Sequence, residues 1–572
     1  MIAHAQPQQK TKHALWEQAS WLLNRRGKLI VLEVFTALVV AIYLLVNHTP
    51  GFPLDDAWIH QDFARTLGQH GVFAYAPDRR GAGSTSPLWV LLLTPAQAVP
   101  GGAPLWLVIA WADALGALAL FGLAWATSAL AESWLGDVDE RLRALGSLTA
   151  GLAVIAEWHL TWAALSGMET LLFVFLSVLL LVGVDRSWHP VWLGLLAALL
   201  TATRPEGVLL AALVAAALAL RSGRRISLDL RHWRPVLLYL GVYALGILPL
   251  LALNEAASGN LLPSTFYAKG AYYALGTGEL TRLVSYALGV LEFLGSSPLV
   301  ALGLPGTIYA LWLARRSGIR GTQWLALAWA MALIGVYAIH LPVVYQNGRY
   351  LMPVLPVLLG LGVTGSLRVV SVGGYRALPG VLLVLALAMA ALSLVRGTGI
   401  YQANVHYIND YQVETALWLR ANTPAGALVA THDIGAIGYF SDRRVIDLGG
   451  LTQPEIVPLL DDQQALLAYL QRAHVDYVVM FPDWFPPPRV LLAALTHDEA
   501  HPRNEVHRTH DPAIAAIGGS DLVTYKTGWG TANVSALNVP ASIPSGGGDA
   551  FCCGGTAVWM AERRRIFDCD IR

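Results

Sequence analysis

Apolar residues occur along this chain in runs of bilayer-spanning length, separated by short polar loops. The runs cover about 28–46, 86–131, 144–163, 169–184, 190–203, 207–220, 235–253, 286–314, 322–341, 349–367 and 377–395. The second and eighth are long enough to contain a break. The pair at 190–220 is short and is interrupted by Arg204, Pro205, Glu206 and Gly207. The pattern predicts a polytopic α-helical membrane protein with about eleven transmembrane helices. The polar stretch ahead of the first run lacks the layout of a cleaved signal peptide, and the run itself is long enough to stay as an anchor.

Basic residues fix the expected orientation. Arg25, Arg26 and Lys28 precede the first run; alternate loops then carry Arg141, Arg143, Arg186, Arg221, Arg224, Arg225, Arg231, Arg234, Arg315, Arg316, Arg320, Arg368 and Arg376. That side is read as cytoplasmic. Residues 1–27 then form a cytoplasmic N-terminus and 28–396 the membrane domain. The loops 47–85, 164–168, 254–285 and 342–348 fall outside, with everything after about 396.

Beyond residue 400 the periodicity changes. An amphipathic helix is predicted over 409–421, strands over 427–432, 445–448 and 475–481, and a further helix over 463–473. Alternating strands and helices predict a small extracytoplasmic α/β domain over 397–530. Its glycines, Gly435, Gly438, Gly449 and Gly450, do not form G-x-G-x-x-G, so dinucleotide binding has little support.

Composition agrees. Hydrophobic residues make up 55% of the chain and charged residues 13%, against about 25% charged in soluble proteins. The formal net charge is zero and no basic block stands out, which removes nucleic acid as a partner. The three cysteines, Cys552, Cys553 and Cys569, lie in a Gly-rich tail over 531–572 that also holds Arg563, Arg564 and Arg565 and reads as disordered by composition. The body therefore has neither a disulfide nor a thiolate nucleophile, and without a paired C-x-x-C the tail makes a weak metal site.

Ionisable residues are nearly absent from the runs and gather in the external loops, which favours chemistry at the outer interface over a proton relay through the bilayer. In the first external loop, Ile59, Phe63 and Leu67 recur at helical spacing after Asp55. Asp55 and Asp56 stand about 100° apart around that helix, so one of them faces any given site. Asp55 suits an N-cap and Asp56 a first-turn dipole partner. A capping carboxylate can also accept a proton.

Lys269 is one of five lysines in an arginine-biased chain. With Arg349 and Arg204 it supplies cations on the external side, where a single pocket is within reach of all three; each is equally readable as an interfacial snorkelling residue. Glu169 and Glu206 are natural partners for these arginines. Tyr267, Tyr345 and Tyr350 suit an interfacial aromatic belt or a substrate contact. His432 and Asp433, at a strand end, suit an acceptor contact or a loop hydrogen bond.

The block from Leu54 to Arg65 with Gly83–Trp89 resembles the first-loop signature of bacterial GT-C glycosyltransferases, nearest in its motifs to the mycobacterial terminal β-arabinofuranosyltransferase-like group. Further likenesses follow in order at Ser166–Thr170, Thr203–Gly207, Gly259–Lys269, Gly348–Pro353 and Thr431–Ser441. The resemblance covers about 50–480. It implies a GT-C membrane domain that transfers a sugar, with inversion, from a polyprenyl-phosphate donor to an extracytoplasmic glycan, lipid or protein acceptor of the cell envelope. Asp55 would be the catalytic base with Asp56 beside it. Lys269, Arg349 and Arg204 would face the donor phosphate, and His60, Glu169, Glu206, Tyr267, Tyr350, His432 and Asp433 would be substrate contacts. A divalent cation is compatible with this chemistry, and metal dependence stays open. The rivals are a flippase for a lipid-linked sugar, which predicts repeats and midplane charges that the sequence lacks, a membrane scaffold, and a protein mannosyl- or lipid A aminoarabinose-type transferase.

Overall fold

The computed structural model describes residues 23–77, 84–222, 230–274, 279–317, 321–373, 377–484, 489–496, 504–511 and 520–529. Most of the N-terminal segment, Arg224, Arg225, Arg320, Arg376 and the tail with its cysteines lie outside the described residues. The chain divides into two compact units. The first comprises residues up to Leu54, Thr85–Ala256 and Ser285–Val405; the second comprises Asp55–Ser84, Ala257–Val284 and the chain from His406 onward.

The first unit is helical. Its elements are α1 (Arg25–Val46), then α3 (Pro87–Gln97), α4 (Leu105–Trp134), α5 (Glu140–Ala156), α6 (Trp158–Ala164), α7 (Thr170–Asp185), α8 (Pro190–Thr203), α9 (Gly207–Ser222), α10 (Leu230–Ser258), most of α12 (Glu279–Gly295), α13 (Pro298–Ser317), α14 (Thr322–His340), α15 (Leu355–Gly373) and most of α16 (Leu378–Ile408). Among the described residues, seven helices are long and apolar enough to cross a membrane, and α7, α8 and α9 are apolar but shorter. The two long runs do break. The second divides at Ala98–Pro104, where Gly101 and Gly102 take positive φ, and the eighth at Ser296 and Ser297. A third break, at Glu157 within the 144–163 run, is hidden by its apolar flanks.

Glycine lets one helix pair approach closely. A Cβ on Gly306 of α13 would lie 2.2 Å from the Gly362 carbonyl oxygen, and one on Gly365 of α15 would lie 1.8 Å from that of Gly306. Lipid offers no hydrophobic drive between helices, so small residues that let backbones approach supply the packing.

The second unit is α/β. Its sheet has the order β2-β1-β3-β5-β4, formed by β1 (Leu428–Thr431), β2 (Arg444–Asp447), β3 (Tyr477–Met480), β4 (Glu505–Thr509) and β5 (Leu522–Lys526). β1 pairs in parallel with β2 and β3, while β5 runs antiparallel to β3 and to β4. Around it lie α2 (Asp55–His70), α11 (Ser264–Ala274), a π turn at Asn409–Val413, α17 (Glu414–Asn422), α18 (Gly435–Ser441), α19 (Gln463–Arg472) and α20 (Val490–Thr496). Ala430, Ile446, Val478 and Met480 of the sheet pack with Leu466 and Leu470 of α19 and Leu491 and Leu495 of α20 in one core. The three predicted strands form. β4 escapes sequence reading because Glu505, His507 and Arg508 give the edge strand a polar pattern; β5 is apolar and buried, and the sequence reading does not include it.

Candidate functional site

Asp55 opens α2, and its carboxylate caps a different helix. Oδ2 accepts from the Gly435 amide at 2.8 Å and Oδ1 from the Ala436 amide at 2.7 Å. These are the first amides of α18, which have no partner inside their own helix. The N-cap expected of Asp55 is thus made across 380 residues of chain instead of within α2. Such an approach tolerates only glycine: a Cβ on Gly435 would sit 2.0 Å from the Asp55 carbonyl oxygen.

Three further contacts lock α2 against α18. Tyr75 Oη donates to the Ile434 carbonyl at 2.6 Å, Arg65 Nη1 donates to that of Tyr439 at 2.9 Å, and Trp58 packs against the rings of Tyr439 and Phe440 at 5.0 and 4.7 Å. Asp62, on the buried face of α2, is 2.5 Å from Arg65 Nη2, yet burial outweighs that partner and pushes its carboxyl up to about 8. A Cβ on Gly438 would meet Tyr75 Oη at 1.8 Å, so the second glycine of the Gly435–Gly438 pair is needed as well.

The electrostatics favour a basic carboxylate at Asp55. Burial raises its pKa first, the charge of Asp433 raises it further, and the two amide hydrogen bonds oppose the rise without cancelling it. Asp55 and Asp56 are both half-buried. Asp56 Oδ2 is 3.8 Å from Lys269 Nζ on α11. Asp433 accepts from Gln412 Nε2 at 3.0 Å, and His432 Nδ1 lies 3.0 Å from the other oxygen of Asp433. The Phe481 amide donates to His432 Nε2 at 3.1 Å, which fixes the ring with Nδ1 on the side of that carboxylate. The second unit therefore gathers Asp55, Asp56, Lys269, His432 and Asp433. His60 is buried on α2, and Tyr267 is exposed on α11.

The remaining sequence candidates meet in the first unit. Arg204 is buried between Glu206, 3.3 Å from Nη2, and Glu169, 3.8 Å from Nη1; Nη2 also donates to Tyr337 Oη at 3.1 Å. Its guanidinium lies 4.6 Å from the Tyr350 ring centroid. Arg349 is likewise buried and donates from Nη2 to Tyr350 Oη at 3.2 Å, while Tyr345 Oη is 3.3 Å from Tyr350 Oη. Tyr345 thus lies against Arg349, and Tyr350 against both arginines. The structure joins Arg204 to Arg349 through Tyr350 and assigns Lys269 to the other unit.

Sequence reading missed one more buried cluster. Glu157, in the break between α5 and α6, is 2.6 Å from His159 Nδ1 and accepts from Ser297 Oγ at 2.5 Å; His159 Nε2 is 3.0 Å from Ser296 Oγ. A lone Glu-x-His inside an apolar run was its only signal. Among the described residues, no group of three or more His, Cys, Asp or Glu is arranged to hold a metal ion, so no step is derived through one.

Residues 401–532 match a domain of unknown function, DUF8728. No curated protein matches the sequence. Among solved structures, ArnT from Cupriavidus metallidurans bound to undecaprenyl phosphate is similar at TM-score 0.55 and 15% identity, over 87% of this chain and 99% of that one. The Archaeoglobus fulgidus oligosaccharyltransferase complexed with zinc and sulfate is similar at TM-score 0.53 and 14% identity, over 81% of this chain and 71% of its own. The same enzyme tethered to an acceptor peptide with the NVT sequon gives 0.52 and 14%, over 81% and 70%. At this identity the likeness is one of fold. The chain is a polytopic α-helical membrane protein of the GT-C fold with a small C-terminal sheet domain.

Proposed function

We propose that this protein is a membrane glycosyltransferase that moves a sugar from a polyprenyl-phosphate donor to an extracytoplasmic acceptor, with Asp55 as general base. One observation carries the reading: a half-buried carboxylate, fixed by two backbone amides and held more basic than an ordinary aspartate. A lipid phosphate leaves readily, so the difficult task is to activate the acceptor hydroxyl, and a positioned base does that. The acceptor oxygen bonds to the anomeric carbon as Asp55 takes its proton. The bond to the phosphate oxygen breaks with its electron pair, and the single displacement inverts the centre. The fold neighbours support the substrate class, since one is bound to undecaprenyl phosphate and another to an acceptor peptide. The likeness of Leu54–Arg65 and Thr431–Ser441 to the arabinofuranosyltransferase-like group supports a cell-envelope acceptor.

Lys269 and Arg349 are separate candidates for the donor phosphate, one in each unit. Lys269 lies beside Asp56, and Arg349 rests on Tyr345 and Tyr350. Arg204, matched by Glu169 and Glu206, is assigned to holding its loop. Mass spectrometry of co-purified lipid should find a polyprenyl phosphate or its glycoside, and turnover should require that donor. Lys269→Ala and Arg349→Ala should each lower donor efficiency about tenfold to a hundredfold, the loss of one charge-assisted contact. Lys269→Arg should recover part of it, and the acceptor KM should stay in place. Wild-type donor kinetics in both alanine variants would return these residues to a structural role.

The proposal places the first loop (47–85) and residues 397–530 outside the cell, with the basic loops inside. Single cysteines introduced at 47–77 into a variant lacking the three tail cysteines should react with an impermeant maleimide on intact cells. A cysteine within 222–233 should react only after permeabilisation. The reverse pattern would invert the topology.

A further inference from the structure

The C-terminal domain carries a concave surface in which none of the candidate site residues named above takes part. It is an open pocket of about 570 Å³, within the range of small-ligand sites. One wall is the π turn continuing into α17, where Asp410, Val413, Glu414 and Leu417 follow one another at i, i+3, i+4 and i+7. The other wall is β4 and the residue after it, contributing His507, Arg508 and His510. π turns are rare and recur at functional sites, and this one lies within the pocket wall.

The chemistry of the walls selects the ligand. Each basic group already has a carboxylate: His507 Nε2 is 2.9 Å from Glu414, Arg508 Nη1 is 2.9 Å from Asp521, and His510 Nδ1 is 2.7 Å from Asp521. Among the described residues of these walls no cation is left over to draw a phosphate or an acidic chain, and the exposed carboxylates of Asp410 and Glu414 repel one. The paired groups still present donors and acceptors side by side. Leu417 is 49% exposed, and with Val413 it adds an apolar patch beside them. A ligand that suits both is neutral, rich in hydroxyls that donate and accept at once, and apolar along its C–H faces.

We propose that this pocket binds a neutral oligosaccharide, the acceptor chain, at a subsite on the C-terminal domain apart from the reacting hydroxyl. The naming of the ligand as acceptor rests on the glycosyl-transfer reading; the binding itself does not require turnover.

The test is donor-free titration of the full-length protein in nanodiscs with neutral linear tetrasaccharides of arabinose, mannose, galactose and glucose, followed by saturation-transfer NMR. At least one should bind saturably. Glu414→Gln and Leu417→Ser should each weaken it about tenfold, the scale of one charge-assisted contact, with melting temperature unchanged. In turnover assays the same variants should raise the acceptor KM for long chains and leave kcat and donor KM in place. Failure of all four sugars to bind, binding equally strong in both variants, or preference for tetralysine or an oligogalacturonate would overturn the proposal. An inactive protein that still binds the sugar through Glu414 and Leu417 would sink the transferase reading alone.

Discussion

Asp55→Asn should lower turnover by at least about a hundredfold, the usual scale for losing a positioned general base. The amide keeps one oxygen to accept from α18, so the protein should still fold and bind donor. Asp56→Asn, with its oxygen beside Lys269, should act mainly on donor binding. The pH profile separates the roles. A base works when deprotonated, and burial with the Asp433 charge raises the Asp55 pKa. Wild-type kcat should therefore climb with pH through that raised value, and the residual activity of Asp55→Asn should lack the climb. Because the folded-state pKa is raised, ionising Asp55 costs folding energy as pH rises above the ordinary carboxylate range, so the Asn variant should not melt earlier at neutral pH. Near-normal turnover by both variants would remove the first loop from the chemistry.

Gly435→Ala should be almost as damaging although it alters no ionisable group. Its methyl would meet the Asp55 backbone 2.0 Å away, and α2 and α18 would have to part. Overpacking of this kind costs about 1–3 kcal/mol of stability. A catalytic group displaced by about 1 Å can lose a hundredfold in rate. The expected signature is a lower melting temperature, a kcat down about a hundredfold and a donor KM little changed. Ala436→Gly, at the next amide, adds no atom and should keep most of the activity. If Gly435→Ala turned over normally, the carboxylate clamp would have no catalytic consequence.

The membrane helices were legible because a bilayer imposes a length and a composition that no other environment does. The helix from Asp55, the strands near 428, 444 and 477 and the helix from Gln463 follow from periodicity alone. What periodicity cannot register is a polar residue buried in company. Glu157 reads as a blemish in an apolar run, and only three dimensions bring Ser297 to it and Ser296 to its neighbour His159. Asp55 itself was legible as a cap but not as the cap of α18, because a carboxylate carries no mark of whose amides it will meet. The visible trace was Gly435 and Gly438, one helical turn apart. They read as a failed nucleotide fingerprint, yet their spacing clears one face of α18 for the Asp55 backbone and Tyr75.

The clamp also sets a schedule. Asp55 is made early and the amides that hold it come 380 residues later. At roughly 5–20 residues per second, a ribosome needs on the order of 20–80 s to deliver them. For that interval α2 has been synthesised without its partner helix, the Asp55 carboxylate without the amides it will accept from and Trp58 without the rings of Tyr439 and Phe440. A nascent chain halted anywhere before Gly435 therefore lacks the clamp on Asp55, and if Asp55 is the base proposed above, an unfinished copy of this protein is silent as well as short.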